Sequence, residues 1–195
     1  DGDAVALRYD DASGTVTLTY AALSEQSKRL AGALREAGVE PGDRVATMLP
    51  KSPELLIALV AVWRLGAVHV PLFTAFGPDA VSYRVAHSGS SAVITDQTNR
   101  SKVTVDAAIP VFCSGPARGP RDLDLDGAIT GGVSWSGMER SGDDLLMLLY
   151  TSGTTGNPKG VEVPVRALAY FRSYMRFSLD VRPDDVFWNI SDPGW

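Results

Sequence analysis

Between Tyr150 and Gly160 the sequence reads Tyr-Thr-Ser-Gly-Thr-Thr-Gly-Asn-Pro-Lys-Gly, gathering three glycines, four aliphatic hydroxyls and one lysine. Those groups suit a polyphosphate. Gly153, Gly156 and Gly160 let backbone N–H groups approach an anion with no Cβ in the way. Thr151, Ser152, Thr154 and Thr155 can donate to non-bridging oxygens, and Lys159 supplies a strongly hydrated point charge. At ~4 Å and an effective dielectric near 20, one such charge pair is worth on the order of 4 kcal/mol before desolvation. Lys159 is therefore expected to be the largest single contributor. The Walker A pattern is not met, because Asn157-Pro158 separates Gly156 from Lys159 and Gly160 stands where Ser or Thr is required. Pro158 also prevents an uninterrupted helix from starting at Gly156, which weakens any helix-dipole contribution and shifts the load to the hydroxyls and the lysine.

Other residue types capable of chemistry are scattered. His69 and His87 fall in different elements with no ligand cluster of matching spacing, so packing is expected of both. Arg172 and Arg176 lie four apart with Arg166 nearby, the pattern of a solvated helix face. Asp143-Asp144 reads as a turn leading into a strand, not a metal pair. No Ser-His-Asp constellation can be argued from spacing alone.

The elements that must carry the loop alternate. Val5 to Tyr9 and Thr15 to Tyr20 are strand-like and joined by a turn at Asp10-Asp11-Ala12-Ser13-Gly14. Leu23, Leu30, Leu34 and Ala37 then share one helical face, stopped by Gly38. After the turn Pro41-Gly42-Asp43 comes a strand over Arg44 to Leu49. Ser52-Pro53-Glu54 opens a second helix with a cap, a first-turn proline and an early acid, and that helix ends near Gly66. Ala67 to Leu72 is a third apolar run, Gly77-Pro78-Asp79 opens a helix through about His87, and Ser91 to Thr95 is strand-like. This order predicts a parallel or mixed sheet flanked by helices, because parallel neighbours need crossovers. Residues 114–144 are rich in Gly, Pro, Asp and Ser with little periodicity, and are expected to connect a first α/β lobe, 1–113, to the start of a second, 145–195. Leu145 to Tyr150 then reads as a buried strand, Val161 to Val163 as a short one and Arg166 to Phe177 as a helix.

Composition excludes some functions. A net charge of -5 over 195 residues, with no basic run, gives no footprint for nucleic acid. Leu55 to Trp63 is the longest apolar run, far short of the ~20 residues a membrane span needs, and reads as a buried helix. The first residues, Asp1-Gly2-Asp3, have neither the basic nor the apolar region of a secretory signal. Cys113 is the only cysteine, which rules out an intrachain disulfide or a thiolate metal site and fits a reducing cytoplasm. A cytoplasmic location is the expectation.

The eleven residues from Tyr150 to Gly160 resemble the signature of the acyl-adenylate-forming superfamily of AMP-dependent synthetases and ligases. That group includes acyl-CoA synthetases, firefly luciferase and the adenylation domains of nonribosomal peptide synthetases. The likeness extends to Thr19-Tyr20-Ala21-Ala22-Leu23, to Gly38 through Val45, and to Gly66 through Leu72, whose roles look architectural. Phe73-Thr74-Ala75-Phe76-Gly77-Pro78-Asp79-Ala80 is similar to acetyl- and medium-chain acyl-CoA synthetases, where peptide synthetase domains usually carry an Asp-Pro-x-Tyr-Pro turn. Asn189 to Trp195 likewise resembles that subgroup's Asp-x-Gly-Trp segment, which leads into the acyl pocket. Glu162-Val163-Pro164-Val165 departs from the histidine or threonine pair of many relatives.

The resemblance implies an acyl-CoA synthetase-like N-terminal region, truncated, from a ligase using ATP, Mg2+ and coenzyme A on a small carboxylic acid. It places Thr151, Ser152, Thr154, Thr155 and Lys159 on the ATP β- and γ-phosphates, with Lys159 the catalytic candidate and Gly153 and Gly156 shaping the loop. Arg100, by its place after Thr95-Asp96, resembles a CoA nucleotide contact. The family's magnesium-placing segment, ribose-binding aspartate, hinge and later catalytic lysine do not occur in these 195 residues, so the chain alone is expected to be inactive. A carrier-loading adenylation domain and a non-catalytic nucleotide-binding fragment are the alternatives.

Overall fold

The computed structural model describes residues 2–12, 14–116, 119–151, 157–192 and 194. An antiparallel hairpin, β1 (Val5–Asp11) and β2 (Gly14–Thr19), leads into helix α1 (Tyr20–Glu36). The Thr19 hydroxyl caps α1 by accepting from the Ala22 N–H at 3.1 Å, and the helix buries Leu23, Ser27, Leu30, Ala31 and Leu34. Strand β3 (Arg44–Met48) follows, then α2 (Pro53–Leu65). Local chemistry fixes both ends of α2. Ser52 accepts from the Leu55 N–H with Pro53 behind it, and Gly66 at φ 80° takes the left-handed conformation after the last turn. Strand β4 (Val68–Pro71), helix α3 (Pro78–Ser88) and strand β5 (Ser90–Asp96) complete the alternation read from the sequence.

The region expected to be a connection is structured. Beyond a 3-10 turn at Arg100–Lys102, β6 (Val111–Ser114) reaches the start of that region, which itself holds β7 (Leu123–Asp124) and α4 (Leu125–Gly131). Their brevity hides them from periodicity, since two or four residues of strand and a seven-residue helix with glycines complete no readable repeat. Strand β8 (Leu145–Thr151), strand β9 (Lys159–Pro164) and helix α5 (Ala167–Phe177) close the chain's described elements.

Among the described residues one sheet contains seven strands in the order β7-β6-β5-β3-β4-β8-β9, parallel throughout except for the antiparallel β8–β9 pair. Strands on both sides of the 114–144 segment therefore belong to one sheet. The junction is narrow: β4 and β8 meet in register at His69 and Met147. It is reinforced by the Trp63 indole of α2, which donates to the Leu146 carbonyl at 3.1 Å.

Alternation along the strands sends Val45, Ile94 and Phe112 to one core with Leu30 and Leu34 of α1 and Val62 of α2. It sends Ala46, Val70 and Val93 to the other, with Val81 and Val85 of α3 and Tyr150 of β8. Cys113 is buried in β6. The apolar run in α2 is packed, and no helix among the described residues is long and apolar enough to cross a membrane.

His69 belongs to the buried interior of β4. Its Nε2 lies 2.7 Å from the Thr47 hydroxyl on β3, and Nδ1 has no partner among the described residues. Burial lowers its pKa from 6.5 to about 3. Between those values the unfolded chain takes up a proton that the folded chain refuses, so stability is full above about pH 6.5 and falls as pH drops toward 3. The slope from this one group is about 1.4 kcal/mol per pH unit. Urea midpoints at pH 7 and pH 5 should converge in His69→Gln relative to the parent; an acid loss of the same size in both would overturn the assignment.

Candidate phosphate-binding hairpin

Register builds the site. β8 and β9 pair antiparallel with Leu149 opposite Val161, Tyr150 opposite Gly160 and Thr151 opposite Lys159, so the glycine- and hydroxyl-rich segment is the loop of a β-hairpin. Directly opposed residues project from the same face with Cβ atoms about 5 Å apart. A threonine hydroxyl and a lysine ammonium thus flank the mouth of the loop on one side, both exposed. Ser152, Gly153, Thr154, Thr155 and Gly156 lie outside the described residues.

Helix α3 meets both ends of this hairpin. The Tyr83 hydroxyl donates to the Pro158 carbonyl at 3.3 Å, and His87 Nδ1 lies 2.8 Å from the Tyr150 hydroxyl. Arg84, only 7% exposed, sits with its guanidinium carbon 4.0 Å from the Phe76 ring centroid and 5.7 Å from that of Tyr150. Burial lowers the Arg84 pKa and raises that of Tyr150. The sequence reading missed this cluster. Tyr83 and His87 at i, i+4 was the available signal, but nothing in it points to a tyrosine 63 residues after His87.

The two segments that resemble acetyl- and medium-chain synthetases also meet. Thr74 donates to Asp192 Oδ2 at 2.9 Å, and Asp192 Oδ1 accepts from the Gly194 N–H at 2.8 Å. A Cβ on Gly194 would come within 2.3 Å of the Phe73 nitrogen, so glycine is what lets the segment lie against that backbone. Lys102 joins in, donating to the Thr74 carbonyl at 2.7 Å and to Asn99 at 3.0 Å.

Arg100, in the 3-10 turn, forks onto Asp122 with Nε at 2.6 Å and Nη2 at 2.9 Å, while Nη1 donates to the Val103 carbonyl at 2.8 Å. The hydrogen bond to Asp122 raises its pKa. Asp144 caps the turn before β8, accepting from the Ser141 N–H at 2.8 Å and from Arg140 at 3.1 Å, and both lower its pKa. Arg166 pairs with Asp143 and Arg176 reaches Asp180 at 3.6 Å, all on exposed surface.

A crevice of about 740 Å3 opens at the carboxyl ends of β3, β5 and β6, lined in part by Pro50, Ser52, Asp96, Ser114 and Asp126. The strand order reverses between β3 and β5, the place where open α/β sheets commonly hold ligands. The hairpin lies apart from it, on the far side of β4.

Sheet order, flanking helices and the terminal hairpin define an α/β protein of acyl-CoA synthetase architecture. The model of the AMP-binding enzyme family matches residues 1–195, and the chain belongs to that family. It is 36% identical over 219 aligned residues to the acetyl-coenzyme A synthetase of Xanthobacter autotrophicus, an alignment covering all of this chain and 34% of that protein. Among solved structures, the acyl-CoA synthetase of Brucella canis superposes with a TM-score of 0.93 at 41% identity, over all of this chain and 37% of that one. ATP-bound MatB from Rhodopseudomonas palustris gives 0.79 at 31% identity, over 95% of this chain and 36% of that one. The chain spans about a third of the length of these relatives.

Proposed function

We propose that the chain is the N-terminal part of a cytoplasmic, AMP-forming acyl-CoA synthetase. A carboxylate attacks the α-phosphorus of ATP to give acyl-AMP and pyrophosphate, and the CoA thiolate then displaces AMP. The observation that carries this reading is the register of the hairpin, which holds Thr151 and Lys159 on one face across a loop of glycines and hydroxyls. That donor set fits a polyphosphate: Lys159 with the hydroxyls of Thr151, Ser152, Thr154 and Thr155 would hold the β- and γ-phosphates. Gly153 and Gly156 would admit the backbone. Magnesium, entering with the nucleotide, would supply further charge neutralisation. The chain's own contribution is positioning and electrostatic stabilisation of the pyrophosphate leaving group.

Arg100 is proposed for the CoA nucleotide. Three of its five N–H groups are engaged by Asp122 and Val103, which leaves an edge for a ligand on an already oriented fork. Likeness to CoA ligases and the meeting of Thr74 with Asp192 favour CoA over a carrier protein as acceptor. ATP/pyrophosphate exchange by the full-length protein, across short-, medium- and long-chain acids, tests the first half-reaction. CoA-dependent AMP release with the best acid tests the second. No exchange with any carboxylate would overturn the proposal.

A further inference from the structure

Thr151 and Lys159 face each other where β8 and β9 flank the glycine- and hydroxyl-rich stretch, so the backbone on either side sets where its donors begin and end. Affinity then depends on how much order exists beforehand. Beyond the strand ladder, α3 supplies that order at both ends. Pro158 has no N–H to offer, so its carbonyl is the backbone handle at the outgoing end, and Tyr83 holds it. At the incoming end His87 meets the hydroxyl of Tyr150, the residue immediately before Thr151.

The two holders brace one another. The rings of Tyr83 and His87 stack at 5.4 Å and 28°, and His87 meets the Tyr150 ring edge-on at 5.6 Å and 79°. Arg84 fills the space between Phe76 and Tyr150 and donates to the Ala80 carbonyl of its own helix at 2.9 Å.

We infer that Tyr83 and His87 are positioning residues for the phosphate-binding hairpin, fixing its two ends at Pro158 and Tyr150 so that Lys159 and Thr151 meet ATP preorganised. The catalytic consequence rests on the synthetase reading above; the mechanical part does not. Both are tested in the full-length protein. Tyr83→Phe removes one hydroxyl and keeps the stack. His87→Phe keeps the ring and removes the hydrogen bond, while His87→Asn returns a polar atom near the Nδ1 position.

Tyr83→Phe and His87→Phe are each expected to raise the KM for ATP about fivefold, the effect of one net hydrogen bond, with the KM for the acid unchanged and the melting temperature lowered by no more than a few degrees. His87→Asn should recover most of that loss. Amide hydrogen exchange over residues 149–160 should quicken in both phenylalanine variants, with α1 and α2 unaffected. Unchanged exchange in both overturns the inference, as does quicker exchange with an unchanged KM for ATP in an active enzyme. A parent protein with no ATP/pyrophosphate exchange defeats the synthetase reading, and the amide measurement still decides the positioning role.

Discussion

Replacing Lys159 by alanine in the full-length protein is expected to lower ATP/pyrophosphate exchange by about 10²-fold or more, the scale of losing one preorganised charge stabiliser. The reason is positional as well as electrostatic. Lys159 begins β9 opposite Thr151, so the ladder fixes its Cα while its side chain stays exposed at the loop mouth. It is the single cationic residue between Tyr150 and Gly160. A charge pair on the order of 4 kcal/mol before desolvation leaves room for a loss of that size, because each 1.36 kcal/mol is tenfold in rate. Stability should hardly change, since an exposed side chain on a hairpin contributes within about 0.5 kcal/mol. Lys159→Arg should recover only part of the activity, a planar fork being a poor substitute for a compact ammonium. Unchanged turnover in Lys159→Ala would remove the assigned role of the loop.

Features set by local chemistry were legible in the sequence, and features set by pairing were not. Ser52-Pro53-Glu54 and Gly66 bracket α2 as read, because a cap and a left-handed stop are properties of a few adjacent residues. Gly77-Pro78-Asp79 opens α3 for the same reason. The sheet order is another matter. β8 joins through Met147 beside His69, and no composition marks that partner, so the Gly- and Pro-rich stretch before it reads as a boundary when it carries β7 and α4.

The site divides in the same way. Its donor set is written in one stretch, 150–160, but the face on which Thr151 and Lys159 meet depends on an antiparallel register. Arg100 was singled out by resemblance, while its bond to Asp122, 22 residues on, required the fold. Helix α5 shows the limit of periodicity: its residues are as expected, yet none is buried, and Phe171, Tyr174 and Phe177 are exposed. A period says which face seeks cover, not what covers it.

Gly32→Ala should destabilise the protein severely, by about 3 kcal/mol or more, although alanine is the better helix former by about 1 kcal/mol. Gly32 lies inside α1 on its buried side. The segment after α4 runs across that side, with the Trp135 N–H donating to the Lys28 carbonyl at 2.9 Å and the Arg35 guanidinium lying 4.0 Å from the Trp135 ring centroid. A Cβ at position 32 would sit 1.6 Å from the Val133 carbonyl oxygen and 2.8 Å from its carbon. Those atoms are backbone, so no rotamer change relieves the overlap; the segment must lift, breaking its bond to Lys28 and uncovering α1. Gly131→Ala is the matched control, since a Cβ there meets nothing within 4 Å and no left-handed φ is involved. It should move the urea midpoint by less than about 0.5 kcal/mol in equivalent stability. Equal midpoints for the two variants would mean that residues 132–136 do not hold this course along α1, and that the helix tolerates a methyl group where the packing leaves no space for one.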